Sequence, residues 1–204
     1  MRPPGLSCAT SGGGTWLAAK LAMQHGYAAN SAAGSHHALH DTGAGYCVFN
    51  DLAVASNRLI AEGDVSRILI VDCDVHQGDG TASLTALREE IFTLSIHAEK
   101  NFPVRKARSD LDINLPDGVS DTEYLDTLAR VLPGLLDDFG PDCVLYQAGV
   151  DPHRDDKLGR LALSDEGLQL GHGAREGRGG RRRSGDDLKR ESKWHIKSLI
   201  QELK

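Results

Sequence analysis

The chain has 204 residues, a length that fits one α/β domain with a sizeable core. Its four cysteines form no Cys-x-x-Cys pair, so they point to neither a zinc ribbon nor a disulfide framework, and no apolar stretch is long enough to span a bilayer. Charge is divided: residues 169–204 carry ten Lys/Arg and five Asp/Glu, net +5, leaving a net of −11 on residues 1–168, which argues against direct nucleic-acid binding by that body.

In chain order, residues 1–14 lack the basic and apolar regions of a signal peptide, so a cytoplasmic protein is expected. Thr15 to His25 reads as a helix stopped by Gly26. The segment from Asn30 to Tyr46 is rich in Gly, Ser and His and is long for a plain connection, so a functional loop is expected. It holds the adjacent His36 and His37 between small residues. One imidazole could take a proton from water while the other keeps or donates one. Asp51 to Glu62 reads as a second helix, closed by Gly63.

Ile68-Leu69-Ile70-Val71 is an apolar run of the kind that forms a buried parallel strand. It breaks off into Asp72-Cys73-Asp74-Val75-His76. Residues i and i+2 of an extended segment share a face, so Asp74 and His76 could hold one cation; the alternative is a polar strand end that caps the next helix. A helix from about Thr81 to Glu90 and a strand over 91–96 follow. Ser120-Asp121-Thr122-Glu123 is a capping box opening a helix to about Asp138, with a kink expected at Pro133. The segment Pro141 to Asp151 repeats the design, an apolar run that ends at small residues and is followed by the carboxylate of Asp151. If the two runs are neighbouring strands, Asp151 completes an Asp-His-Asp set; otherwise it starts an Asp-Pro turn. Two carboxylates and one imidazole suit zinc (Zn2+), with ferrous iron (Fe2+) an alternative, and three protein ligands leave a position open, as at catalytic centres. The β-α-β alternation predicts an α/β domain with a parallel sheet and helices on both faces. His25, His40, His172 and His195 read as solvated polar residues, and Cys47, Cys73 and Cys143 as reduced core residues.

The chain changes character near residue 168. Residues 1–168 form the expected domain; 169–204 read as a disordered or non-native tail, Gly/Arg-rich from Gly171 to Gly185 and with a short amphipathic helix conceivable over Trp194 to Leu203.

Five blocks, Gly34-Ser35-His36-His37, Gly45-Tyr46-Cys47-Val48-Phe49-Asn50-Asp51, Asp72 to Gly80, Ser95-Ile96-His97 and Gly149-Val150-Asp151, resemble the arginase/deacetylase-fold zinc deacylases, that is, histone deacetylases and their bacterial relatives. The resemblance spans roughly positions 12–168, and His97 to Pro103, with Gln77, is most similar to the class IV deacetylases and their bacterial counterparts. It implies an arginase/deacetylase-like domain, here incomplete. It implies Asp74, His76 and Asp151 as metal ligands, and His36 and His37 as an acid/base pair backed by Asp72 and Asp79. Gly45, Tyr46 and Phe102 would line an acyl-lysine channel. Asp72, Asp74, His76, Ser95 and Ile96 would form a monovalent-cation (K+) site. Arginases bind two manganese ions through Asp-x-His-x-Asp; here Gly78 stands where the second carboxylate would be, which favours one ion. The implied activity is removal of an acyl group from lysine in proteins or peptides. The alternatives are an acetylpolyamine or other small-molecule amidohydrolase, and an impaired metal-binding remnant, because the family's Gly-Gly-Gly-Tyr block, which supplies a carbonyl-polarising tyrosine, does not occur here. Oligomeric state is not specified.

Overall fold

In a computed structural model of the protein, residues 4–171 and 198–201 are described, with side chains described for residues 12–171. The centre is a six-stranded sheet in the order β1 (Ala29–Asn30), β6 (Ser198–Gln201), β5 (Cys143–Ala148), β2 (Ile68–Asp72), β3 (Ile91–Ala98) and β4 (Leu111–Leu115). Every neighbouring pair is parallel. The helices are α1 (Pro4–His25), α2 (Asp51–Ala61), α3 (Asp79–Thr85), α4 (Asp121–Phe139) and α5 (Asp165–Gly171).

The two apolar runs read from the sequence become the two middle strands, and their alternation divides the core. Ile68, Ile70, Cys143 and Leu145 pack with Ala19 of α1 and Leu52, Ala55 and Leu59 of α2. Leu69, Val71, Val144, Tyr146 and Ala148 pack on the other side with Tyr124 and Leu128 of α4. A strand covered on both faces needs apolar residues at every position, hence unbroken runs. Leu59 is fully buried, so Leu59→Ala is expected to cost about 2–5 kcal/mol.

Register decides where the polar residues land. Asp72 lies opposite Gln147 on β5 and Ser95 on β3, so β2 and β5 end level with each other. Their lower ends are tied by Asp142, whose carboxylate accepts the backbone N–H groups of Ser66 at 2.8 Å and Arg67 at 3.0 Å. The chain segments beyond Asp72 and Ala148 therefore emerge side by side at the carboxyl edge, where open α/β sheets place their sites.

Several boundaries differ from expectation. Helix α1 begins at Pro4, well before Thr15, and closes at Gly26 with φ 93°. Helix α3 stops at Thr85 instead of reaching Glu90: the Arg88 N–H turns back to the Thr85 carbonyl at 2.9 Å, and Leu87 is 96% exposed. Glu123 accepts from the Ser120 N–H at 3.1 Å as the capping box predicts, and α4 runs through Pro133. Two short pieces of the segment from 169 onward lie among the described residues. Residues 169–171 belong to α5, and Ser198–Gln201 is a strand, not part of a helix. The reason is a slot between β1 and β5: β6 pairs Leu145 to Ser198 through Ala148 to Gln201 on one side and Ala29 to Leu199 on the other. The Gly/Arg-rich stretch between lies outside the described residues. No described helix is long and apolar enough to cross a membrane.

Candidate metal and proton-transfer centre

Beyond β2 and β5 the chain brings Asp74, His76 and Asp151 together, with one ligand atom from each within 4.8 Å of the others. Asp74 and Asp151 are buried. Asp151 Oδ1 accepts the Val75 N–H at 3.0 Å, which locks the segment after β5 to the loop that carries Asp74 and His76. Gly149 permits this approach, since a Cβ there would lie 2.5 Å from the Asp74 Cα. His76 Nδ1 sits 2.9 Å from Asp74 Oδ1 and 3.1 Å from Asp151 Oδ2. Burial lowers the His76 pKa, but the hydrogen bonds and charges of Asp151 and Asp74 prevail and raise it to about 9. Burial likewise opposes ionisation of Asp74, yet the charges of His36 and His76 bring its carboxyl below the usual range. The donor set fits a divalent ion: two buried carboxylates and one imidazole nitrogen converge on one point.

His36 and His37 lie in a segment without helix or strand. Each ring has its own carboxylate. His36 Nδ1 is 2.6 Å from Asp72 Oδ2, and His37 Nδ1 is 2.7 Å from Asp79 Oδ1. Ionised carboxylates only accept, so each Nδ1 carries a proton and each Nε2 is left for exchange. His36 Nε2 lies 3.8 Å from Asp74 Oδ1. The two rings titrate in opposite directions. Burial disfavours the charged form of His36, but Asp72 and Asp74 overcome it and raise the pKa well above the ordinary value. Burial lowers His37, Asp79 acts against it, and the neighbouring His36 charge lowers it further. Groups pushed apart in this way can divide acid and base roles. Asp72 Oδ1 also accepts the Asp74 N–H at 3.1 Å, so one carboxylate serves both halves of the centre.

A cavity of about 540 Å³ opens onto this group, lined by His36, His37, Asp74, His76 and Asp151 with Gly45, Tyr46 and Phe102. The Phe102 ring centroid is 4.9 Å from His37 and 6.4 Å from His76, edge-on to both. Gly45 has φ 50°, and a Cβ on it would lie 2.3 Å from the His37 ring, so only glycine fits. Tyr46 also has positive φ and is fully exposed at the rim. Of the residues implied for the monovalent-cation site, Asp72 and Ser95 are register partners with Ile96 adjacent. The Ser95 hydroxyl lies 2.9 Å from His97 Nδ1, and the His76 ring faces Asp74 and Asp151. Cys47, Cys73 and Cys143 are buried, Cys47 at the cavity wall.

Sequence reasoning missed what fixes the wall. The Gln77 amide donates to the Ala107 carbonyl at 3.0 Å and Asp112 at 2.8 Å, and accepts from the Ala107 N–H at 2.8 Å. Lys106 donates to the carbonyls of Asn101 at 2.6 Å and Pro103 at 2.8 Å, either side of Phe102. It also assigned no role to Asn50 and Asp51, although both stand in the block running from Gly45. Their bonds reach residues far away in sequence, and no local pattern announces them.

The family model described as "Histone deacetylase domain" matches residues 6–172. An uncharacterized protein of Picosynechococcus sp. is 52% identical over 78% of this chain and 53% of its own length. "Probable deacetylase" of Methanothermobacter thermautotrophicus is 34% identical over 81% of this chain and 54% of its own. "Histone deacetylase 2" of Arabidopsis thaliana is 33% identical over 76% of this chain and 41% of its own. The chain thus spans about half the length of the curated relatives it matches. Among solved structures, the HDA15 HD domain superposes with a TM-score of 0.74 at 23% identity, covering 96% of this chain and 57% of that one, a likeness of fold. On its sequence match, this chain belongs to the histone deacetylase family.

Proposed function

We propose that this chain is a metal-dependent amide hydrolase that removes an acyl group, acetyl in the simplest case, from the side-chain amine of lysine in a protein or peptide. The observation that carries this reading is the joint placement of two carboxylate-backed histidines and an Asp-His-Asp set on one cavity. Asp74, His76 and Asp151 would hold one divalent ion, zinc or ferrous iron. Such an ion, when bound, polarises the acyl carbonyl and makes water a better nucleophile. His37, held neutral by burial, would take the proton as water adds to the carbonyl carbon. His36, kept charged by Asp72 and Asp74, would stabilise the negative charge that develops beside it. The proton then passes to the nitrogen as the C–N bond breaks, leaving a carboxylate and a free amine. Phe102 and Gly45 would hold the aliphatic stem.

A second reading has its own support. Tyr46 is the sole tyrosine among the described residues lining the cavity, and it stands at the exposed rim. A missing oxyanion donor costs about 10²–10³ in rate. On that reading the chain binds metal and turns over poorly. Zinc-loaded chain given an acetyl-lysine peptide and, separately, an acetylated polyamine decides between them. Release of lysine peptide supports the proposal. Turnover of the polyamine alone makes the chain a small-molecule amidohydrolase. Metal binding with neither product supports the impaired remnant.

A further inference from the structure

His36 and His37 need a fixed direction, yet the segment that carries them has no ladder of its own. A buried irregular backbone must satisfy its N–H and C=O groups by other means. Here two consecutive side chains at the start of α2 do most of it. Asp51 is fully buried, and its Oδ1 accepts the N–H groups of Gly34 at 3.1 Å and Ser35 at 2.7 Å. Its Oδ2 accepts the Thr15 hydroxyl of α1 at 2.6 Å, and that hydroxyl accepts from the Asn30 amide at 3.1 Å. Asn50, also buried, donates to the carbonyl of His36 at 3.1 Å and contacts that of Ala38 at 3.5 Å and the Thr81 hydroxyl at 3.0 Å. Its own oxygen accepts the Ala53 N–H at 2.9 Å, which caps α2. The Gln147 amide donates to the Gly34 carbonyl at 3.1 Å, and the Thr81 N–H to that of His36 at 3.0 Å.

The chemistry of each residue matches its place. Asp51 meets three donors with an acceptor-only group, and Asn50 meets carbonyls with an amide that still keeps an oxygen for the helix cap. Neither side chain lines the cavity that holds the triad. Resting on the reading that the two histidines move protons, we infer that Asn50 and Asp51 are positioning residues for His36 and His37, gripping the backbone before the pair through the amides of Gly34 and Ser35 and at and just beyond it through the carbonyls of His36 and Ala38. Thr15 and Asn30 extend the grip to α1 and β1. The pair is thereby fixed to α2, while the triad is fixed to β2 and β5.

Asn50→Asp separates this role from helix capping. Aspartate caps a helix as well as asparagine does, but it cannot donate to the His36 and Ala38 carbonyls. The full chain carrying Asn50→Asp is expected to keep Co2+ affinity within about threefold in titration. Its kcat on an acetyl-lysine peptide should fall roughly 10²-fold with KM within about threefold, as for a reacting group misplaced by ~1 Å. A readout independent of turnover comes from amide hydrogen exchange. Asp51→Ala should speed exchange at Gly34 and Ser35 at least about tenfold, while Asp51→Asn, which keeps one acceptor oxygen, should restore most of the protection. Unchanged kcat in Asn50→Asp overturns the inference, as does unchanged exchange at Gly34 and Ser35 in Asp51→Ala. If Asp51→Ala does not fold, Asn50→Asp supplies the exchange readout: faster exchange than in the parent chain, confined to 34–38, supports the grip, and identical exchange overturns it. A parent chain without turnover refutes the proposed activity, and exchange together with Co2+ affinity then decides the grip.

Discussion

The candidate metal set and the candidate proton-transfer pair, here the metal half and the proton half of the proposed centre, are built in different ways. Asp74, His76 and Asp151 follow directly from β2 and β5, whose register places the strand ends level. His36 and His37 ride on an irregular segment oriented by side chains from α1, α2, α3 and β5. A backbone ladder distributes position over many bonds, whereas side-chain bonds concentrate it in a few groups that one substitution can remove. The metal half should therefore tolerate distant changes, and the proton half should not.

The harshest break of this contrast is direct. Asp151→Ala removes one metal donor and the Val75 tie together, so metal content should fall from about one ion per chain to a small fraction, beyond the 10–100-fold loss typical of changes outside the ligand set. Elemental analysis at matched free zinc checks it, and full occupancy would remove Asp151 from the site. His37→Ala should leave that occupancy intact while turnover drops by about 10²–10⁴. A variant that hydrolyses acetyl-lysine normally would show that the proton goes elsewhere. Gly45→Ala tests the packing behind the ring: its Cβ would collide with His37 at a positive φ, and a rate loss of roughly 10–10² with unaltered metal content is expected. Metal loss there would mean the two halves are not separable. The mildest change concerns the wall. Gln77→Ala gives up the bonds to Ala107 and Asp112 and should cost about 1–3 kcal/mol in urea unfolding. Lys106→Met should raise KM for acetyl-lysine peptide only a few-fold, through a looser Phe102, with kcat almost unaffected. A larger effect on kcat than on KM would place Lys106 in the chemistry.

What was legible in the sequence follows the same division. Ile68 to Val71 and Cys143 to Ala148 announce buried strands because both their faces are covered, and the polar residues after them announce a site. Which carboxylate serves which ring, Asp72 for His36 and Asp79 for His37, was legible only through the family resemblance, since they lie 36 and 42 residues from their rings. The roles of Asn50, Asp51 and Gln77 were not legible: a buried polar side chain and an exposed one look alike until the fold supplies partners. Strand β6 was hidden for a different reason. Its four residues form a strand because β1 and β5 leave room for it, a tertiary effect overriding a local pattern that suggested helix.

The adjacency of β2 and β5 also sets an order of assembly. The two strands are neighbours in the sheet, yet α3, β3, β4 and α4 intervene between them in the chain. Parallel pairing over such a span closes a long loop before any contact rewards it, which slows folding. During synthesis, Asp74 and His76 emerge long before Asp151, and with β5 still unmade the nascent chain offers an incomplete ligand pair. On the proposed function the full ligand set exists only once β5 has paired with β2, so metal capture would be a late event that reports a formed sheet.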